Sequence, residues 1–100
     1  MNIKITSRKF KAKDSLKEHV ENELNSLERF SDDILEANVV LSFTHAKDSI
    51  KNAEIVLQLP KKTLTVSDES DSFEKSVSNA VIKLERQLKK VKNKKLAKAR

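Results

Sequence analysis

The sequence has no cysteine, glycine, tryptophan or tyrosine, and the first two absences each exclude classes of function. Without cysteine there is no disulfide, thiolate metal site or cysteine nucleophile. Without glycine, the phosphate loops of P-loop and dinucleotide-binding proteins and the glycine loop of KH domains are excluded, because they need backbone conformations that glycine adopts readily. No apolar run approaches the ~20 residues of a membrane span, and the N-terminus lacks a signal-peptide core. We therefore expect a cytoplasmic protein.

A chain of 100 residues, 37% apolar and 36% charged, predicts one domain with a thin core and little room for a deep pocket. The two histidines, His19 and His45, fall in different predicted elements, and no nucleophile is paired with a base. The acidic pairs at 32–33 and 68–69 are interpreted as turn or cap residues in loops. We predict no enzyme activity, metal, cofactor or small-molecule substrate.

The positive charge is concentrated at the two ends of the chain. Residues 1–13 hold five basic and no acidic residues, residues 14–82 hold seven basic and fourteen acidic, and residues 83–100 hold nine basic and one acidic. The net charge is +6. This asymmetry favours a polyanionic partner, either nucleic acid or an anionic membrane surface, although basic ends can also simply keep a small domain in solution.

Two segments have the periodicity of amphipathic helices. The first begins at Ser15, where Glu18 completes the spacing of a capping box, and ends at residues 31–33. The second begins at Asp71, which is predicted to cap it because Glu74 follows three residues later, and runs past Lys92. Apolar residues recur on one stripe of each helix, namely Leu16, Val20, Leu24, Leu27 and Phe30 on the first and Phe73, Val77, Ala80, Val81, Leu84, Leu88 and Val91 on the second.

Four other segments alternate apolar and polar residues as half-buried strands do, near residues 2–7, 36–44, 53–59 and 63–67. Polar turns at His45–Ser49 and Pro60–Lys62 separate the last three. The order β-α-β-β-β-α predicts an α+β fold: a four-stranded sheet with both helices on one face and the first and fourth strands running the same way. We expect one domain at residues 1–95 and a basic, disordered tail at 96–100.

The sharpest functional signal is a cationic stripe on the second helix. At ~100° per residue, the side away from the apolar stripe carries Lys75, Asn79, Lys83, Arg86, Lys90 and Lys94. Basic residues with this spacing can contact successive phosphates of a nucleic acid. A solvated face is the ordinary interpretation of such charges. However, like charges four residues apart repel each other, so a face of nearly one sign favours an anionic partner.

A second basic segment, residues 8–13, lies between the first strand and the first helix. The predicted topology places it near the start of the second helix, close to Lys75. Within it, Phe10 is expected to pack as a hydrophobic staple against the first helix rather than to stack on a base. No phenylalanine falls on the exposed sheet face, since Phe43 is predicted to point inward. Recognition by shape and backbone is therefore favoured over base stacking across the sheet.

Residues 83–92, KLERQLKKVK, resemble the second-helix signature of the ribosome hibernation-promoting factors, also called ribosome-associated inhibitors or sigma-factor modulation proteins. The first strand and residues 16–30 are similar too, so the resemblance covers roughly residues 1–95. Two departures concern local geometry: Ser7 stands where the family often has glycine, and Ser72-Phe73-Glu74 replaces an aspartate–aliphatic–tyrosine opening of the second helix.

The resemblance implies a layout related to double-stranded-RNA-binding domains and binding to the small ribosomal subunit between head and body. There the family occupies the tRNA and mRNA sites of idle ribosomes and blocks translation. By position, the implied rRNA contacts are Lys83, Arg86, Lys89, Lys90 and Lys92. Charge alone adds Lys75 and Lys94 on the same helix and Arg8, Lys9, Lys11 and Lys13 before the first helix. Long members carry a second, ribosome-dimerising domain; since the chain ends at Arg100, we expect a short member.

The sequence thus predicts a translation inhibitor that binds the small subunit and its rRNA and acts by steric occupancy. One alternative is a general RNA-binding protein without ribosome preference. Another, a helix lying on a membrane surface, is disfavoured because the sheet needs that helix's apolar stripe and the chain has no tryptophan. The sequence leaves open self-association and whether bound ribosomes dimerise.

Overall fold

The computed structural model of the chain describes residues 1–45 and 50–98, with side chains described for residues 1–43 and 50–91. Its elements are β1 (Asn2–Ser7), α1 (Asp14–Asn25), a 3-10 helix (Ser26–Arg29), β2 (Glu36–His45), β3 (Ile50–Gln58), β4 (Thr63–Ser70) and α2 (Phe73–Lys98). The predicted order β-α-β-β-β-α is confirmed. The turn predicted after His45 lies outside the described residues, as do residues 99 and 100. The division into a domain at 1–95 and a disordered tail at 96–100 stays a prediction.

The four strands form one mixed sheet in the order β1-β2-β3-β4. The β1 strand pairs in parallel with β2, with Asn2 opposite Glu36, and the other two pairings are antiparallel. Strands β1 and β4 therefore run in the same direction, as predicted. These strands form the two opposite edges of the sheet, but their C-termini lie at the same end of it, where both the basic segment 8–13 and α2 begin.

The core lies between the helices and one face of the sheet, because every strand alternates inward apolar and outward polar residues. The buried strand residues are Ala37, Val39, Leu41, Ala53, Ile55, Leu57, Leu64 and Val66. They meet the buried helix residues Leu16, Val20, Leu24, Leu27, Val77, Ala80, Val81, Leu84 and Leu88. Burying each leucine or isoleucine stabilises the fold by roughly 1.5–3 kcal/mol. The predicted stripes are confirmed, with Phe30 and Val91 half-buried at their ends.

The start of α1 differs from the sequence prediction. The helix begins at Asp14, and the carbonyl of Lys13 accepts the backbone N–H groups of Leu16 and Lys17 at 3.0 and 3.1 Å. No side chain caps this end, so the capping box predicted from Ser15 is wrong. The α-helix also ends at Asn25, and the tighter 3-10 turn that follows carries Leu27 into the core.

The start of α2 is capped by Ser72, not by Asp71 as predicted. Ser72 Oγ accepts the backbone N–H of Lys75 at 3.2 Å, the bond expected of an N-cap residue. One turn later, the buried Ser76 hydroxyl lies 2.7 Å from the Lys51 carbonyl oxygen and 3.1 Å from that of Ser72. This hydroxyl joins the first turn of α2 to β3.

Strand β4 is longer than predicted, because it continues past Ser67 to Ser70. Asp68 is paired with Ala53 and Glu69 with Asn52 across the ladder to β3, so the interpretation of these two acids as loop residues is wrong. Alternation along the strand places Asp68 on the side of Leu64 and Val66, which faces α2. An acid of the sheet thereby reaches the helix that carries the cationic stripe.

Candidate nucleic-acid interface

One face of α2 is exposed along the length for which side chains are described. It carries Lys75, Asn79, Ile82, Lys83, Arg86, Lys89 and Lys90. The opposite side of the helix, which includes the fully buried Leu84, packs on the sheet and so turns this face outward. The structure thus brings the predicted cations together on one surface, which we call the α2 face. The side chains of Lys92 and Lys94 lie outside the described residues.

In the first half of the α2 face, Lys83 is paired with the sheet. Its Nζ donates hydrogen bonds to Asp68 Oδ1 at 3.1 Å and to the Ser67 carbonyl oxygen at 2.8 Å. Asn79 Nδ2 donates to the other oxygen of Asp68 at 3.1 Å. The Asp68 carboxylate, with only 17% of its side chain exposed, therefore receives two contacts from α2.

Lys75, about two turns nearer the start of the helix than Lys83, also has an acidic partner. Its Nζ lies 3.3 Å from Asp71 Oδ1. A hydrogen bond from Lys75, and next one from Ser70, lowers the pKa of the Asp71 carboxyl below its usual value. Both members are exposed, so the pair stabilises the fold weakly; that contribution is present above the ordinary aspartate pKa and is lost as the pH falls through the lowered one. The helix stripe itself carries one sign of charge, as predicted, but an acid outside the helix compensates it here.

The second half of the α2 face is different. Arg86 and Lys90 are exposed, and neither has a hydrogen-bond or ion-pair partner within the described part of the chain. Lys89 is exposed as well and places its Nζ 5.3 Å from the centroid of the Phe30 ring, a cation–π distance. The uncompensated positive charge of the α2 face is therefore centred on residues 86–90.

The segment after β1 supplies further exposed cations, which are Arg8, Lys9, Lys11 and Lys13. It turns sharply, since Lys9 has φ 64° and so adopts the left-handed conformation that glycine usually supplies. The Arg8 N–H donates to the Leu41 carbonyl oxygen at 2.9 Å and ties the turn to β2. The segment is thus held at the end of the sheet where α2 begins, as predicted.

An aromatic cluster connects this segment to α2. The ring of Phe10 stacks on that of Phe73, with centroids 4.8 Å apart and planes at 11°. Phe43 meets both rings edge-on, at 5.3 and 5.5 Å. Phe10 therefore packs within the protein against Phe73 of α2, and the staple against α1 stays a prediction. Phe43 lies on the helix side of the sheet as predicted, but at its margin, where 42% of the residue is exposed.

The remaining candidate residue that the structure describes, His19, connects the two helices. Its Nε2 lies 3.2 Å from both the Glu74 carbonyl oxygen and Ser78 Oγ. The Ser78 hydroxyl donates to Glu23 Oε1 at 3.1 Å and completes the network. These contacts give His19 a structural role between α1 and α2. The side chain of His45 lies outside the described residues.

Two residues of this surface were missed by the sequence reasoning. Asp68 could have been found by extending the alternation of Leu64 and Val66 by one more step. Ile82 lies within the stripe, three residues after Asn79 and four before Arg86, and is 46% exposed.

Among the described residues, no helix combines the length and apolar character needed to cross a membrane.

The chain belongs to the family described as sigma 54 modulation protein / S30EA ribosomal protein, whose sequence profile matches residues 3–96. A ribosome hibernation promotion factor of Bacillus subtilis (strain 168) is 28% identical over 94 residues. That alignment covers 94% of this chain and 50% of the relative, so the chain spans about half the length of the curated relative it matches.

Solved structures of similar proteins share the fold. The N-terminal domain of Protein Y from Thermus thermophilus is 34% identical, with a TM-score of 0.81 and coverage of 91% of this chain and 99% of that one. A ribosomal subunit interface protein from Coxiella burnetii is 28% identical, with a TM-score of 0.83 and coverage of 93% and 99%. The predicted α+β fold and the predicted family are both confirmed.

Proposed function

We propose that this protein is a ribosome hibernation factor of the cytoplasm. It binds the rRNA of the small subunit and occupies the tRNA and mRNA region of idle ribosomes, which blocks translation without catalysis. The observation that carries the proposal is the uncompensated cationic surface at Arg86, Lys89 and Lys90 on a domain of this family. The relatives' own names, ribosome hibernation promotion factor and ribosomal subunit interface protein, support the ribosome as the partner.

The geometry of α2 suits contact with an RNA backbone. At 1.5 Å rise per residue, Arg86 and Lys90 are separated by about 6 Å along the helix axis, so both can contact neighbouring phosphates. Arginine binds a phosphate through a two-pronged set of hydrogen bonds, whereas lysine acts as a point charge. Lys11 and Lys13 extend the cationic surface beyond the start of α2.

The direct test is sedimentation of the purified protein with ribosomes and with separated subunits, at low and at physiological salt. We expect it to sediment with the small subunit at both. A purely electrostatic contact to about five phosphates would weaken with a log–log salt slope of roughly −3 to −5. Loss of binding on that scale, together with equal affinity for any duplex RNA, would favour a general RNA-binding protein instead.

The residues are tested by neutralising Lys83, Arg86 and Lys90 together with glutamine. All three are exposed, so the fold should be retained, and we expect small-subunit binding to weaken by about 100-fold at physiological salt because phosphate contacts are lost. A matched control replaces Lys4, Lys17 and Lys61, which are exposed on three other parts of the chain, and produces the same change of net charge. Equal losses in the two triple variants would refute this assignment.

A further inference from the structure

Lys83 and Asp68 form a pair that crosses from α2 to the sheet. The lysine has 47% of its side chain exposed and the aspartate 17%. Two of the three Lys83 N–H groups are directed at protein oxygens, the Asp68 carboxylate and the Ser67 carbonyl. Lys83 is therefore already bonded to oxygen acceptors of the kind that a phosphate would offer.

Two features of the fold direct the Asp68 side chain toward α2. It follows Leu64 and Val66 in the row of β4 that faces α2, and Asn79 donates to its second oxygen. Because Lys83 and Asn79 of α2 both contact the Asp68 side chain, the negative charge of Asp68 stays beside the cationic surface. An approaching polyanion therefore meets a Lys83 whose charge is already paired.

We propose that Asp68 limits the affinity of the proposed rRNA interface, by acting as an intramolecular substitute for phosphate on Lys83. This inference rests on the proposed function. Lys83 contacts RNA only after it exchanges Asp68 for a phosphate, and such exchange is feasible because partly exposed ion pairs are weak. An acid of β4 thus lowers the affinity of the first half of the α2 face for phosphate.

The test is Asp68→Asn, which removes the charge and keeps nearly the same shape. The amide oxygen can still accept from Lys83, and the backbone pairing with Ala53 is unaffected. We expect small-subunit binding to tighten by roughly 5-fold at physiological salt and the log–log salt slope to become steeper by about 0.7–0.9, the increment of one further phosphate contact. Asp68→Ser should tighten binding likewise, and thermal unfolding checks that both variants fold.

The matched control is Glu69→Gln. It makes the same change of charge one residue away, but Glu69 points to the opposite, exposed face of β4. We expect less than about a 2-fold change in affinity, since the residue does not neutralise a cation of the α2 face. A double-mutant cycle with Lys83→Gln then isolates the pair, and Asp68→Asn should bring no gain when Lys83 is absent.

Two results would overturn the inference while leaving the proposed function intact. One is equal tightening by Asp68→Asn and Glu69→Gln, which would reduce the effect to net charge. The other is a gain from Asp68→Asn that persists in the Lys83→Gln background. Failure of the wild-type protein to bind small subunits would instead overturn the proposed function, and this inference with it.

Discussion

The two halves of the α2 face both present basic side chains, but they differ in how much of that positive charge is paired. From Lys75 to Lys83, the cations meet acids of β4 and of the turn that follows it. From Arg86 to Lys90, no such acid is present among the described residues. The difference shows that the charge of a helix face depends on the strand packed beneath it. Only the second half offers a polyanion charges that are not already paired.

The largest expected effect comes from comparing one double variant in each half. Arg86→Gln with Lys90→Gln should weaken small-subunit binding by about 30-fold at physiological salt, because two phosphate contacts with no competing acid are lost. Lys75→Gln with Lys83→Gln should cost only about 3-fold, because those cations are largely neutralised by Asp71 and Asp68. Sedimentation titrations measure both affinities.

The control for this comparison is Lys4→Gln with Lys61→Gln, which changes the net charge equally away from α2. Equal losses in the two helix variants would contradict the distinction between the halves. A larger loss from the Lys75 and Lys83 variant would reverse it and place the RNA contact over β4.

Stability should show the opposite order. Lys83→Gln removes an ion pair and a hydrogen bond that connect α2 to β4, and we expect the free energy of unfolding to fall by about 0.5–1 kcal/mol. Arg86→Gln removes no bond within the described chain and relieves repulsion from Lys90, so it should change stability by less than about 0.3 kcal/mol. Urea denaturation measures both free energies of unfolding, and the m-value should stay unchanged. If Lys83→Gln destabilises the fold no more than Arg86→Gln does, the Lys83 pair contributes nothing to stability.

The smallest expected effect on binding concerns Ile82, which lies near the end of the first half. Ile82→Ala should weaken small-subunit binding by about 3-fold with the log–log salt slope unchanged, because an apolar contact is lost and no counterion is involved. Alanine favours the helix, so the fold should be retained. Leu35→Ala, at an exposed residue outside α2, is the control. A changed slope, or unchanged affinity, would contradict an apolar contact at this position.

Periodicity was enough to predict the core and the topology. Leu16, Val20 and Leu24 recur at helical spacing and are buried, and the alternation of Val39 and Leu41 identified the inner face of β2. These patterns are reliable because a wrong assignment would expose a whole row of apolar side chains. They also predicted correctly that the basic segment lies beside the start of α2.

Helix caps and ion pairs could not be predicted in the same way. Ser15 and Asp71 both precede a glutamate by three residues, yet no side chain caps α1, and at α2 it is Ser72 whose oxygen accepts an N–H. The acidic, serine-rich segment that contains Asp68 has a composition typical of loops, yet pairing with β3 keeps it extended, since packing overrides strand propensity. Extending the alternation of β4 could have placed Asp68 on the side that faces α2, but its pairing with Lys83 in particular follows only from how β4 and α2 pack together.

The stack of Phe10 on Phe73 has a consequence for binding. It fixes the basic segment against the start of α2 before any partner arrives, so the two cationic surfaces already have a set separation. Little conformational entropy then has to be lost on association, because the loop is ordered beforehand. If the proposed rRNA interface is correct, a fixed separation favours RNA folds whose phosphates lie at the matching distance, and a chain with few aromatic residues would then select RNAs by their shape.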